Sequence, residues 1–205
     1  DILATTGVNM GGTDYDRQLN LAQVMPLLGY KHIGPEHREV PSRVFFDLAT
    51  WHLIHWQYQP KAIAHAKTLR SNYRETHLHE RLMRVLTERH GHLMAHEVEQ
   101  AKIRCSVNKS DTGIDLSVIE RDLRAQLGVA DMQALLHDLL SRTLACAREC
   151  VQRANLTDVS LDAIYLTGGS SALSTFQQAL QAEFAGVKLV EGDLFGGVAL
   201  GLAYS

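Results

Sequence analysis

Asp162-Ala163-Ile164-Tyr165-Leu166-Thr167-Gly168-Gly169-Ser170-Ser171 is the stretch whose reading sets the fold class. Ile164, Tyr165 and Leu166 are β-branched, aromatic and apolar and stop at a glycine pair, which reads as a short buried strand running into a turn. Beyond the turn, Ser174 and Gln177 have capping-box spacing, and Phe176, Ala179, Leu180 and Phe184 recur at helical intervals. Two glycines between a strand and a helix N-terminus let the backbone come close to a ligand, and the first helical N–H groups favour a phosphate or a polar sugar. A tight turn with no ligand has the same local signature, so the pair alone does not decide.

The start of the chain repeats the pattern. Ile2 to Val8 reads as an opening strand that stops at Asn9-Met10-Gly11-Gly12. Thr13 and Asp16 then have capping-box spacing for a helix whose apolar positions, Leu19, Ala22, Val24 and Leu27, run up to Gly29. Gly29 to Pro41 is a loop, Val44 to Trp56 reads as a helix or a buried hairpin, and Pro60 breaks it. Ala62 to Arg104 is helical, with Leu78, Leu82, Val85 and Leu86 on one stripe, and Leu93, Val98, Ala101 and Lys102 continuing after a break at Gly91. Residues 106–116 read as a β-hairpin around an Asn/Ser/Asp/Gly turn, and Ser117 with Glu120 as the start of a helix to Leu127. Asp131 to Asn155 is the longest helix, Val187 to Val190 a last short strand, and Phe195 to Tyr204 an apolar helix. Strands therefore flank a mainly helical middle. The expected class is α/β, with residues 1–11 and 117–205 forming a sheet subdomain and residues 12–116 an inserted helical subdomain with a β-hairpin.

Composition narrows the function. The 205 residues are 45% apolar and 21% charged, with a net charge of -3, so no broad basic field is offered to nucleic acid or to an anionic membrane. The longest uncharged apolar stretch, Leu194 to Ser205, is well short of the ~20 residues that span a bilayer. The first residue is Asp1, with no leader after it, which reads as a piece of a longer chain. Cys105, Cys146 and Cys150 are odd in number and sparse, as expected of free thiols in a cytoplasmic protein. Among eleven histidines, His92 and His96 lie one helical turn apart near Glu99, but no third ligand stands at motif spacing and no metal is assigned. Trp51, Trp56 and Tyr58 are read as core of the helical subdomain rather than as a base-stacking platform, because few basic residues interleave with them.

Three Gly-rich turns remain: Gly11-Gly12-Thr13-Asp14, Gly168-Gly169-Ser170-Ser171, and Glu191-Gly192-Asp193 with Gly196-Gly197 after it. In an open α/β sheet, ligands bind outside the carboxyl ends of the strands, where such turns collect. The first two both leave a strand and enter a helix, so convergence on one nucleotide is expected.

Met10-Gly11-Gly12-Thr13-Asp14-Tyr15-Asp16, residues 98–106 (Val-Glu-Gln-Ala-Lys-Ile-Arg-Cys-Ser), Ile164 to Ser171, and Gly192-Asp193-Leu194-Phe195-Gly196-Gly197 resemble, in order and spacing, the ATP-site segments of the heat shock protein 70 (DnaK) family of chaperones. The resemblance is to the second lobe of that family's actin-like, ribonuclease H-like ATPase domain. It is nearest to short bacterial YegD-like members with little or no peptide-binding domain, and residues 30–95 match only in helical character. It implies that Gly11, Gly12 and Thr13 line a nucleotide cleft, that Glu99 and Lys102 reach the ribose, that Ser106 approaches the adenine, and that Gly168, Gly169 and Ser170 cradle ribose and phosphates, with Asp193 nearby. Glu99 and Lys102 stand three apart on one helix face, so they can act together; on their own they would read as an exposed ion pair worth ~0.3 kcal/mol.

The departures from the family pattern are specific. Ile103 and Ala172 stand where two arginines sandwich the adenine, and Thr13 where an acid is usual, which implies weakened or altered nucleotide binding. The implied cofactor is ATP or ADP with Mg²⁺, and the implied partners are the first ATPase lobe together with protein clients or co-chaperones. Catalytic groups belong mainly to that first lobe, so no catalytic residue is assigned and the chain alone is expected to be inactive. A nucleotide-dependent hinge near Gly11-Gly12 and Asp115-Ser117 is implied as well. Two alternatives stay open: a degenerate, non-hydrolysing binding or regulatory module of the same fold, and a lobe of a sugar or metabolite kinase.

Overall fold

Helix formation begins at the first glycine pair. In the computed structural model, which describes residues 2–157 and 160–192, Gly12–Leu19 form helix α1, so Thr13 lies inside the first turn rather than before it. The backbone runs on through a wider turn, Asn20–Val24, and a 3₁₀ turn, Met25–Leu28, and ends at Gly29 with φ 105°. The Gly29 N–H there donates to the Met25 and Pro26 carbonyls, as a left-handed glycine cap does. Arg43–Ala49 (α2), Pro60–Thr68 (α3), Thr76–Thr87 (α4) and Gly91–Asn108 (α5) complete the helical set before the first strands. Pro60 opens α3, where its missing N–H is one of the unpaired set anyway. Leu82, Val85 and Leu86 of α4 pack in a core with Leu19, Phe45, Leu48 and Met94, all with little or no exposed area.

Three expectations fail here for local reasons. Residues 106–116 do not form a hairpin: Ser106 to Asn108 finish α5, and Lys109 at φ 51° supplies its left-handed end. The hairpin instead pairs Thr112–Asp115 (β1) antiparallel with Arg124–Leu127 (β2), Thr112 opposite Leu127 and Asp115 opposite Arg124. Ser117 and Glu120 therefore do not open a helix. The Ser117 N–H donates to Asp115 Oδ1, and residues 124–127 alternate exposed and buried, the period of a strand. Trp51 and Trp56 are not core, since each leaves more than half its surface in solvent.

Glu120 works instead across the unit. Arg81 donates to it through two nitrogens, at 2.7 and 2.8 Å. That paired contact holds the Glu120 carboxyl below its ordinary value of 4.5. A carboxylate lowered by folding contributes stability that is present above pH 4.5 and is lost as pH falls through its folded value. Glu120→Gln is accordingly expected to flatten the acid limb of a stability-against-pH curve below that point while leaving its neutral shape unchanged; denaturation midpoints taken at a series of pH values check this.

Val129–Arg153 (α6) is the longest helix, and it is followed by Ala163–Leu166 (β3), Ser174–Glu183 (α7) and Lys188–Glu191 (β4). β3 and β4 pair in parallel, Ala163 opposite Lys188 and Leu166 opposite Glu191, with α7 as the crossover. Leu166, Leu180, Phe184 and Val187 form the cluster beneath them, with Leu144, Ala147 and Val151 of α6 packed on it. The opening strand is not formed. Residues 2–8 have no ladder partner among the described residues and are tied by side chains instead, the Thr6 hydroxyl donating to the Cys146 carbonyl at 2.9 Å. The expected helix at 195–204 lies outside the described residues.

The chain divides into two compact units, Asp1–Gly12 with Leu136–Ser205, and Thr13–Leu135. The first crossing falls beside Gly12 and the second lies within α6. Pairing of β2 with β1 carries residues 117–135 with the helical unit. The result is a mixed α/β protein, mostly helical with small sheets.

Candidate functional site

The two glycine turns meet. A Cβ added at Gly12 would lie 3.0 Å from the Ser170 hydroxyl oxygen, so the start of α1 and the turn after β3 are in contact within one unit. At Gly11 and Gly168 an added Cβ would touch nothing within 4 Å among the described residues, so there is space beside both backbones. Gly168 has φ 84° and ψ 147°, a conformation restricted in practice to glycine. The next four residues, Gly169–Ala172, make one 3₁₀ turn that enters α7.

Ser171, not singled out in the sequence, holds this turn. It is buried, and its N–H and hydroxyl both donate to the Gly168 carbonyl, at 3.0 and 2.7 Å. Gln177 reaches beyond its own helix. Its amide donates to the Ser171 carbonyl and to Glu191 Oε1, at 3.1 and 2.8 Å, and so joins the turn, α7 and β4. The signal was in the sequence, since Gly-Gly-Ser-Ser places hydroxyls where a turn can use them.

In the helical unit, Thr13 and Glu99 line one cavity of about 230 Å³ with Asp16, Asn20, Trp51 and Ala95. Glu99 is exposed, whereas Lys102 is buried and paired with Asp16 at 2.8 Å. Burial raises the Asp16 carboxyl above its usual value, and the Lys102 ammonium offsets part of that. Lys102 is therefore an anchored cation rather than a free one. Ser106 is buried, and Ile103 keeps 41% of its surface in solvent. Arg104 leaves another face of α5, where it donates to the Gly113 carbonyl at 3.0 Å. Ala172 is exposed. Asp193 lies outside the described residues.

Asp16 and Asn20 were missed as a pair although Thr13, Asp16 and Asn20 fall on one helix face by spacing. Asn20 is 1% exposed, and its Oδ1 has no hydrogen-bond partner among the described residues. Such a group costs ~1–3 kcal/mol in an apolar setting. Asn20→Leu is accordingly expected to raise stability by roughly that amount; an equilibrium urea melt measures it, and a destabilised variant would mean that the amide is satisfied.

Among the described residues no three His, Cys, Asp or Glu side chains gather as a metal site, and His92 packs edge-on against Trp51 at 4.9 Å between ring centroids. No described helix is long and apolar enough to cross a membrane.

A model of the family described as Hsp70 protein matches residues 80–201, more than half of the chain. The chain belongs to the Hsp70 family. Its members are chaperone-like and bind ATP or ADP with Mg²⁺. The Hsp70 match spans α5, the β1–β2 hairpin, α6 and the turn after β3, and thus takes in Glu99, Lys102, Ile103, Ser106, Gly168, Gly169, Ser170 and Ala172. Residues 1–79, with the Gly11-Gly12 turn, lie outside it, and it is the contact of Gly12 with Ser170 that joins that turn to the Hsp70 segment.

Proposed function

We propose that this chain is the second lobe of an Hsp70-type, actin-like ATPase domain of the short YegD-like kind, and that it supplies the adenosine contacts and part of the phosphate contacts for ATP or ADP. The observation that carries the reading is the Gly12–Ser170 contact, because it brings together two glycine turns far apart in sequence, and Gly168 takes a positive φ that leaves space beside its backbone among the described residues. Such a cradle fits phosphate oxygens, which accept from N–H and hydroxyl donors. Gly11, Gly12, Gly168, Gly169 and Ser170 would hold phosphate and ribose oxygens, Glu99 would accept from ribose hydroxyls, and Lys102, held by Asp16 at 2.8 Å, would reach the ribose beside it. Exposed Ile103 and Ala172 offer apolar contact to the adenine in place of guanidinium stacking. Mg²⁺ bound with the nucleotide would neutralise phosphate charge, and hydrolysis belongs to groups of the first lobe of the same chain. Nucleotide state would be read out through a hinge near Gly11-Gly12 and Asp115-Ser117, with clients or co-chaperones as the recipients.

Calorimetric titration of Mg-ADP into the full-length protein tests this. Gly12→Val pushes against Ser170 and covers the open turn, and is expected to weaken binding about tenfold, whereas Gly7→Val, with nothing within 4 Å, should not. No heat at millimolar nucleotide would favour the degenerate binding module instead.

A further inference from the structure

A second cavity of the helical unit, of about 340 Å³, lies where α2, the 3₁₀ run Trp51–Tyr58 and α3 meet, and none of its lining residues is assigned to the nucleotide. Arg43 stands at its wall. The Nε of Arg43 donates to both carboxylate oxygens of Asp47, each at 2.9 Å, and Asp47 is buried and also accepts from the Gln57 amide at 3.1 Å. That contact uses Nε alone. The two terminal nitrogens of the guanidinium have no acceptor among the described residues, on a side chain that keeps 83% of its surface in solvent. An arginine oriented through Nε still offers its terminal fork to a planar oxyanion, which accepts two parallel N–H bonds. Lys61 and His65, one helical turn apart on α3, line the same cavity; both are exposed, and neither side chain pairs with an acid among the described residues. Among the described residues that line it, Asp47 is the one acid, and Arg43 balances it, so Lys61 leaves the cavity net positive. Val44, Ala62 and the Trp56 ring supply apolar lining, and the His55 ring packs on Trp56 at 4.6 Å between centroids. Trp56 is 56% exposed, and a flat or apolar group laid on it would remove that surface from water. The volume equals roughly eleven waters at ~30 Å³ each, enough for a small molecule or one to two side chains.

We infer that this cavity binds a carboxylate carried on an aromatic or aliphatic group, with the terminal nitrogens of Arg43 and the Lys61 ammonium on the carboxylate, the His65 ring as a further donor, and Trp56 against the apolar body. A free fork, an unpaired ammonium and an open indole in one cavity select a monoanion with an apolar part over a cation or a neutral group. The inference does not rest on the nucleotide reading, because the two share no residue.

The test uses the full-length protein without nucleotide and follows the Trp56 indole N–H resonance, assigned by its loss in Trp56→Phe, with the Trp51 resonance as the internal reference. Phenylacetate is titrated, with phenylacetamide as the neutral control and N-acetyl-aspartyl-phenylalaninamide as the stand-in for an acidic segment of a partner protein. Phenylacetate is expected to shift the Trp56 signal saturably at millimolar or lower concentration, phenylacetamide to bind at least about tenfold more weakly, and Arg43→Gln to weaken phenylacetate about tenfold. Arg43→Lys, which keeps the charge without the fork, should fall between the parent and Arg43→Gln. Both replacements are at an exposed side chain, and an unchanged denaturation midpoint shows that the variant is folded. Binding of phenylacetate without the capped dipeptide identifies a free small carboxylate, and binding of both identifies an acidic side chain of a partner. Arg43→Gln should leave the Mg-ADP affinity unchanged, which keeps this result separate from the nucleotide reading. No saturable shift with phenylacetate, or equal binding of phenylacetamide, or an affinity that Arg43→Gln leaves within about twofold, overturns the inference.

Discussion

Replacing Asp16 with alanine is expected to destabilise the helical unit by about 3 kcal/mol, the low end of what is seen when one partner of a buried ion pair is removed. The Lys102 side chain is 7% exposed and that of Asp16 20%, so the ammonium would be left with little water and no counter-charge at 2.8 Å. The lower end of the range applies because Asp16 keeps some access to solvent. Asp16→Ala with Lys102→Met removes both charges and should return most of the loss, since an apolar replacement of a buried pair is often neutral. Urea melts of the two single variants and the double variant form the cycle that checks this. A single-variant loss under ~1 kcal/mol would place the pair among surface ion pairs and remove the reason for treating Lys102 as anchored.

Gly34→Ala is expected to be at least as damaging, by about 3 kcal/mol or more, because overpacking against backbone cannot be relieved by a side-chain rotation. A Cβ at Gly34 would lie 1.8 Å from the Asn72 backbone carbonyl oxygen. Relief requires parting the loop after Gly29 from the turn that follows α3, along a seam held by several contacts. His32 stacks on Tyr73 at 5.8 Å, the Arg74 N–H donates to His32 Nε2 at 3.2 Å, and the Tyr73 hydroxyl donates to the Leu28 carbonyl at 3.0 Å. The loss should appear in the denaturation midpoint and as faster exchange of amides in residues 29–41. A variant within ~1 kcal/mol of the parent would show that the loop is not seated as described.

Much of this molecule was legible because its helices are long and amphipathic. The stripe of Leu78, Leu82, Val85 and Leu86 is buried as its spacing predicts, and Gly29 ends the first helical run with a positive φ. The turn after β3 was legible from a three-residue apolar run and two glycines, and α7 and β4 followed where expected. What misled was polar chemistry with two uses. Asn108-Lys109-Ser110 is as good a helix end as it is a hairpin turn, and Ser117 with Glu120 has capping spacing although Glu120 is taken by Arg81, thirty-nine residues away. The strand Arg124–Leu127 hides behind residues with high helix propensity, its alternation too short to outweigh them until β1 pairs with it. Lys102 stood out in the sequence as a residue type, but the partner that holds it did not. Asp16 read as a capping acid, and its burial is a property of packing rather than of its neighbours in sequence.

Hydrogen exchange of the full-length protein with and without Mg-ADP tests the convergence of the two turns most directly. The account predicts that peptides covering residues 10–14 and 167–172 slow together and by similar factors at saturating nucleotide, and that Gly12→Val weakens protection in both. Protection of one turn without the other, at a nucleotide concentration where binding is saturated, would contradict it.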